Sequence, residues 1–136
     1  MKLLLNDRTL IKISGSDSEL FLQNQLSNNI NKLDNSKIQF NVYCQHQGKI
    51  LVLFWVMRLN DYFILSFPAE LSEKVTSRLQ MFVIMSDVVI EDISEQYNQI
   101  GLINESHSNA YSMNEGMSLL IVSSGEMNKE INHNDD

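Results

Sequence analysis

Cys44 is the one cysteine of the chain, and the three histidines stand at positions 46, 107 and 133. A single thiol excludes an internal disulfide and any paired-cysteine metal motif. Metal sites need ligands that converge, and histidines this far apart give no such pattern, so no metal is assigned. Cys44 falls on an apolar strand pattern, which reads as a buried, inert thiol. A reactive thiolate needs an exposed, electropositive setting. Gln45-His46-Gln47-Gly48-Lys49 reads as a tight turn. Its plain role is to reverse the chain, and its chemical role would be to present Lys49 and backbone amides to an anion. Phe54, Trp55, Met57, Met81, Phe82 and Met85 could floor a pocket for a planar ligand, or serve as core. Glu91 and Asp92 are adjacent carboxylates, but strand neighbours face opposite sides and cannot act as one acid–base pair. No complete catalytic constellation is visible, and no catalytic residue is assigned.

The elements that would position these residues follow from periodicity. Residues 9–14 read as a strand. Ser16-Asp17-Ser18-Glu19 fits a capping box that opens a helix over 17–32. Leu22, Leu26, Ile30 and Leu33 share one face of it, and Asn28 and Asn29 are placed to break it in two. Residues 38–44 alternate, with Ile38, Phe40, Val42 and Cys44 on the apolar side. Residues 50–57 are an apolar run that needs cover on both faces, and 62–67 follow after a short turn. These three strands form an antiparallel meander over 38–67. Pro68 suits a helix start, and Leu71, Val75, Leu79 and Phe82 mark one face of a helix over 69–82. Further strands are expected at 88–93, 99–103 and 119–122, with 104–117 unpatterned. The fold class is α+β, an antiparallel sheet backed by helices. The domain spans 1–127, and 128–136 is a solvated tail. One helix layer covers one face of a sheet. An exposed apolar patch on the other face is therefore expected, with self-association as its consequence. The alternative is that residues 104–122 fold back to cover it.

Bulk properties restrict the function. The 136 residues are 43% hydrophobic, with ten basic against seventeen acidic side chains and a net charge of −7. Nucleic-acid binding needs clustered cations to displace counterions, so direct nucleic-acid contact is not expected. An apolar run of eight residues is too short to span a bilayer, and the N-terminal residues lack the stretch a secretory signal needs. A cytoplasmic protein without membrane contact is the expectation.

Several segments carry a family likeness. Ile13-Ser14-Gly15-Ser16-Asp17-Ser18-Glu19 followed by Phe21-Leu22-Gln23-Asn24-Gln25 resembles the opening I-x-G-x-D-x-x-x-F-L-Q-x-Q of YgfZ-type folate-binding proteins. These are relatives of the glycine-cleavage T-protein, an aminomethyltransferase. Tyr43-Cys44-Gln45-His46-Gln47-Gly48-Lys49-Ile50-Leu51 resembles the family's C-x-x-x-G-K/R strand–turn–strand, and residues 79–88 fit its next segment. The likeness runs in consistent order over residues 9–103.

The resemblance implies a fold that packs with later domains around a tetrahydrofolate pocket. It implies a role in iron–sulfur cluster assembly or repair, and through it in tRNA modification. The candidate folate contacts are Met57 and the Gly48-Lys49 turn. The family's K-G-C-Y-x-G-Q-E motif is absent, so the chain resembles the N-terminal portion of a longer protein. Its partners would be the missing C-terminal domains, a separate C-terminal chain, or another copy of itself. The aminomethyltransferases are expected to carry a catalytic carboxylate in an E-K-D run, where this chain has Glu73-Lys74-Val75. Val75 speaks against aminomethyl transfer. The alternatives are a fragment of a true aminomethyltransferase, or a split half with an interaction role only.

Overall fold

Strand alternation divides the apolar residues of the central strands into two sets, and each set has its own cover. The computed structural model describes residues 1–45 and 48–126. It contains β1 (Lys2–Leu4), β2 (Arg8–Ser14), α1 (Ser18–Gln25), β3 (Gln39–Cys44), β4 (Ile50–Arg58), β5 (Tyr62–Pro68), α2 (Ser72–Met81), β6 (Val89–Asp92), β7 (Tyr97–Ile103), β8 (Tyr111–Asn114) and β9 (Met117–Ser123). A five-stranded sheet has the order β3-β4-β5-β2-β6, and a four-stranded sheet has the order β1-β7-β9-β8. Every strand pairing within the two sheets is antiparallel. The expected meander is β3-β4-β5, and the expected α+β class holds.

On one face of the five-stranded sheet, Ile11, Ile13, Val52, Phe54, Val56, Phe63, Leu65 and Phe67 pack against Phe21 and Leu22 of α1 and Val75 and Leu79 of α2. Each such side chain contributes about 1.5–3 kcal/mol when fully buried, so this layer supplies most of the fold's driving force. On the other face, Leu10, Met57 and Ile64 meet Leu119, with Ile38 and Ile93 closing the edges and Tyr111, Met113 and Ile121 packed around them. The second face is therefore covered over much of its area by the four-stranded sheet, which corrects the expectation of a bare sheet face. The covering sheet includes two strands absent from the sequence reading. β8 alternates for only four residues, and β1 is three residues at the chain start.

Two other expectations fail for identifiable reasons. The capping box does not form, because both of its side chains bond elsewhere. Ser16 Oγ donates to Asp87 Oδ2 at 2.6 Å, and Glu19 forms a forked pair with Arg58 at 3.1 Å on both nitrogens. The break expected at Asn28 and Asn29 does form: α1 ends at Gln25, and a separate 3-10 turn follows at Ile30–Lys32 with Asn29 as its N-cap. In β3 the alternation runs in the opposite phase. Asn41 and Tyr43 are buried, while Phe40 and Cys44 are exposed. Asn41 tolerates the interior because its carboxamide accepts from Asn28 N at 2.7 Å and donates to Gln39 Oε1 at 2.8 Å. The same loop closes the sheet's outer edge, with Val42 N donating to Ser27 Oγ at 2.8 Å. Cys44 is thus not the buried thiol that the pattern suggested. His46, His133 and the 128–136 tail lie outside the described residues.

The start of α1 is docked by Gly15. Its φ is +110°, and a Cβ there would lie 2.1 Å from the Asp87 carbonyl oxygen. Asp87 ties the junction together. Its carboxylate accepts from Ser16 N and Oγ, and its own N donates to Asp17 Oδ2 at 2.7 Å. Gly15→Ala adds both a left-handed strain and a backbone clash, so it should cost roughly 2–4 kcal/mol in urea unfolding. The Ser16 hydrogen bonds hold the Asp87 pKa below its ordinary value. A depressed carboxylate contributes stability that is full above the unfolded-state pKa and is lost as pH falls through the folded-state pKa. Asp87→Asn should therefore flatten the acid limb of a stability–pH curve below about pH 4. An unchanged acid limb would show that this junction does not titrate with folding.

Candidate functional site

The register of the five-stranded sheet lines up one row of side chains on the face toward the second sheet. Phe40 pairs with Trp55, Trp55 with Ser66, and Ser66 with Leu10. One step along, Val42 pairs with Leu53 on the same face. Arg8, two residues before Leu10, shares that face as well. The four-stranded sheet covers Leu10 completely, but it leaves Phe40 40% and Leu53 47% exposed. The result is an apolar corner with an arginine at its inner margin.

Arg8 is fixed in three directions. Its Nε donates to Ser66 Oγ at 2.9 Å, its Nη2 donates to the Ser66 carbonyl at 2.9 Å, and its guanidinium carbon sits 3.5 Å from the Trp55 ring centroid. Ser66 Oγ in turn donates to Gln99 Oε1 of β7 at 2.5 Å, and Gln99 Nε2 donates to the Arg8 carbonyl at 3.4 Å. Ser66 and Gln99 are buried, at 0% and 3% exposure. A buried hydroxyl and amide are tolerated only when satisfied, and this closed chain satisfies them across the two sheets. Burial lowers the Arg8 pKa to about 10, against a smaller upward pull from Asp7. The arginine remains a cation at neutral pH, stacked flat on an indole. Beyond it a cleft of about 590 Å³ opens between the sheet ends, lined by Asn6, Arg8, Asp92, Tyr97 and Gln99 among others.

The arrangement can bind a planar group against Trp55, Phe40 and Leu53, and an anionic or carbonyl oxygen at Arg8. The residues singled out from the sequence fall differently. Met57 is fully buried in the inter-sheet core, on the Trp55 face and two residues further along β4. Gly48, at φ +79°, and Lys49 are exposed at the opposite end of β4, where Gln45 N bonds the Lys49 carbonyl at 2.6 Å. The structure does not bring Met57 and Lys49 together. Of the proposed aromatic and methionine cluster, Phe54 and Met57 are buried on opposite faces, while Met81, Phe82 and Met85 are exposed around the end of α2. Val75 lies in the helix-facing core at 0% exposure. A side chain there cannot reach a substrate, so its identity says nothing about catalysis. Trp55, the remaining member of the aromatic and methionine cluster, lies on the inter-sheet face beside Arg8, whereas Arg8 and Ser66 carry no signal in the sequence because their value lies in cross-strand register.

The sequence is 36% identical over 91 residues to an aminomethyltransferase of Exiguobacterium sibiricum, covering 66% of this chain and 25% of that protein. An aminomethyltransferase of Oceanobacillus iheyensis is 34% identical over 95 residues, 68% of this chain and 26% of the relative. A tRNA-modifying protein YgfZ of Colwellia psychrerythraea is 26% identical over 104 residues, 76% of this chain and 32% of the relative. The chain thus spans 25–32% of the length of these curated relatives. Among solved structures, the glycine cleavage system aminomethyltransferase T of Bartonella henselae matches with a TM-score of 0.76 at 11% identity, covering 98% of this chain and 45% of that one. A heterotetrameric sarcosine oxidase of Corynebacterium sp. U-96 matches with a TM-score of 0.60 at 11% identity, covering 94% and 77%. At such identity the structural likenesses show a shared fold alone. No protein-family profile matches the sequence.

Ser66→Ala removes the hydroxyl that serves both Arg8 Nε and Gln99 Oε1. Buried Gln99 and half-buried Arg8 then lose a hydrogen bond each, and the cost should be about 1–3 kcal/mol by urea unfolding. A loss within the range of an ordinary surface substitution, about 0.5 kcal/mol, would mean the network is dispensable.

Proposed function

We propose a tetrahydrofolate-binding role for this chain, which belongs to the T-protein/YgfZ superfamily. The observation that carries the proposal is the Arg8–Trp55 stack beside exposed Phe40 and Leu53. Tetrahydrofolate joins a flat bicyclic ring to an anionic glutamate, and the corner offers an apolar platform with a fixed cation. Met57 backs the platform from inside the core. Lys49 lies six residues from Trp55 along β4, about 20 Å at ~3.3 Å per residue. It could meet only the far, anionic end of an extended ligand.

The platform is one wall. Small-molecule sites enclose most of their ligand, so the remaining walls would come from further domains, from a separate C-terminal chain, or from a second copy. Within the superfamily we favour the YgfZ-type role, folate binding in support of iron–sulfur cluster assembly or repair and of tRNA modification, without aminomethyl transfer. The platform's own polar groups are a guanidinium, a hydroxyl and an amide. General acid–base work near neutral pH calls for a group that titrates in that range. The alternative is a domain of a true aminomethyltransferase, the name carried by two of the relatives above.

Trp55 is the single tryptophan, so its indole N–H gives one assignable resonance. Titration with tetrahydrofolate should shift that resonance progressively, with weak affinity because a single wall is present. Leu53→Asp, which places a charge on the exposed platform, should abolish the shift without unfolding the chain. An indole resonance that stays fixed at the highest attainable ligand concentration would overturn the assignment.

A further inference from the structure

A second cleft, of about 420 Å³, lies around the outer edge of β3, where the ends of α1 and α2 approach it. Gln25, Ser27, Tyr43, Cys44, Arg78 and Phe82 are among its lining residues. Arg78, in the last turn of α2, makes no ion pair with any described carboxylate. Its Nε is buried and has no hydrogen-bond acceptor among the described residues. An unmet buried donor is costly, and more so when it is charged. Two rings hold the guanidinium in place, with Tyr43 centred 5.9 Å and Phe82 5.6 Å from its carbon. Tyr43 Oη donates to Gln25 Oε1 at 3.3 Å, which turns the amide so that its oxygen is engaged. Its Nε2 makes no hydrogen bond among the described residues. The cleft is therefore lined by a guanidinium that no described carboxylate pairs and by an amide whose oxygen is already engaged, in a chain whose net charge is −7.

We infer that this cleft is a binding site for a small aromatic carboxylate. The carboxylate would bond the Arg78 fork, which matches its planar geometry. The ring would lie on Phe82, which is 45% exposed. The size fits, since pockets for small ligands run from about 300 to 1,000 Å³. Tyr43 reports the same field. Burial raises its pKa, and the Arg78 charge, with a hydrogen bond from the same guanidinium, pulls it back down. The site stands apart from the Arg8–Trp55 platform and does not depend on the folate reading.

Cys44 supplies the test. It is the only cysteine, it is exposed, and it lines this cleft. Benzoate should slow alkylation of Cys44 by iodoacetamide several-fold in the intact chain. Benzamide, the neutral isostere, should not, and inorganic phosphate should protect less because it brings no ring. Arg78→Leu should remove the benzoate protection while the circular dichroism spectrum is retained. The benzoate–benzamide contrast decides the matter on the unmodified chain if that variant fails to fold. Equal protection by benzamide, or no protection by benzoate, overturns the site, and equal protection by phosphate overturns its assignment to an aromatic carboxylate.

Discussion

One hydroxyl ties the two sheets together. Ser66 accepts from Arg8 within its own sheet and donates to Gln99 across the interface. A polar group at 0% exposure has no water to fall back on, so the sheets must meet in the one alignment that closes this chain of bonds. The apolar residues around it, Leu10, Met57, Ile64 and Leu119, supply attraction without direction. The hydrogen bonds supply the direction. With Nε and Nη2 both committed, the guanidinium has little choice but to lie on Trp55, and the corner beyond it acquires a fixed cation. The candidate site is in this sense a by-product of the interface geometry.

The motif that carries the family likeness has a structural meaning. In Ile13-Ser14-Gly15-Ser16-Asp17, the glycine lets the chain pass against the Asp87 carbonyl, and the serine and aspartate lock onto Asp87 itself. It sets where α1 begins and therefore how Phe21 and Leu22 meet the sheet. Relatives that share this segment can form the same junction between β2 and α1. They need not share a reaction, and function has to be argued from the site instead.

The meander and α2 were legible because each has a long, consistent apolar period and clear punctuation, such as Pro68 before α2. The four-stranded sheet was only partly legible. β7 and β9 show apolar runs, but β1 and β8 are too short for alternation to register, so the cover over the second face went unseen. The apolar residues of β3 point to the wrong phase, because Phe40 and Cys44 face outward despite their character. Asn41 is inward instead, because Asn28 and Gln39 satisfy it, and that depends on a loop thirteen residues away in sequence. The same limit hid all of the site but Trp55. Arg8, Trp55, Ser66 and Gln99 are spread over ninety-one residues of separation, and no spacing rule connects them.

Arg8 and Gln99 act as one unit through Ser66. A double-mutant cycle tests it directly, with Arg8→Met and Gln99→Leu measured singly and together by equilibrium urea unfolding. Coupled neighbours in a shared network show interaction energies of about 0.5–3 kcal/mol, whereas independent sites add to within ~0.5 kcal/mol. The double variant should be clearly less destabilised than the sum of the two single ones. Additive costs would contradict the coupling, because they would mean that the two sheets are aligned by apolar packing and by the backbone bonds of Ser112 to Ser36 and Ile38, and that the arginine's place on Trp55 is incidental.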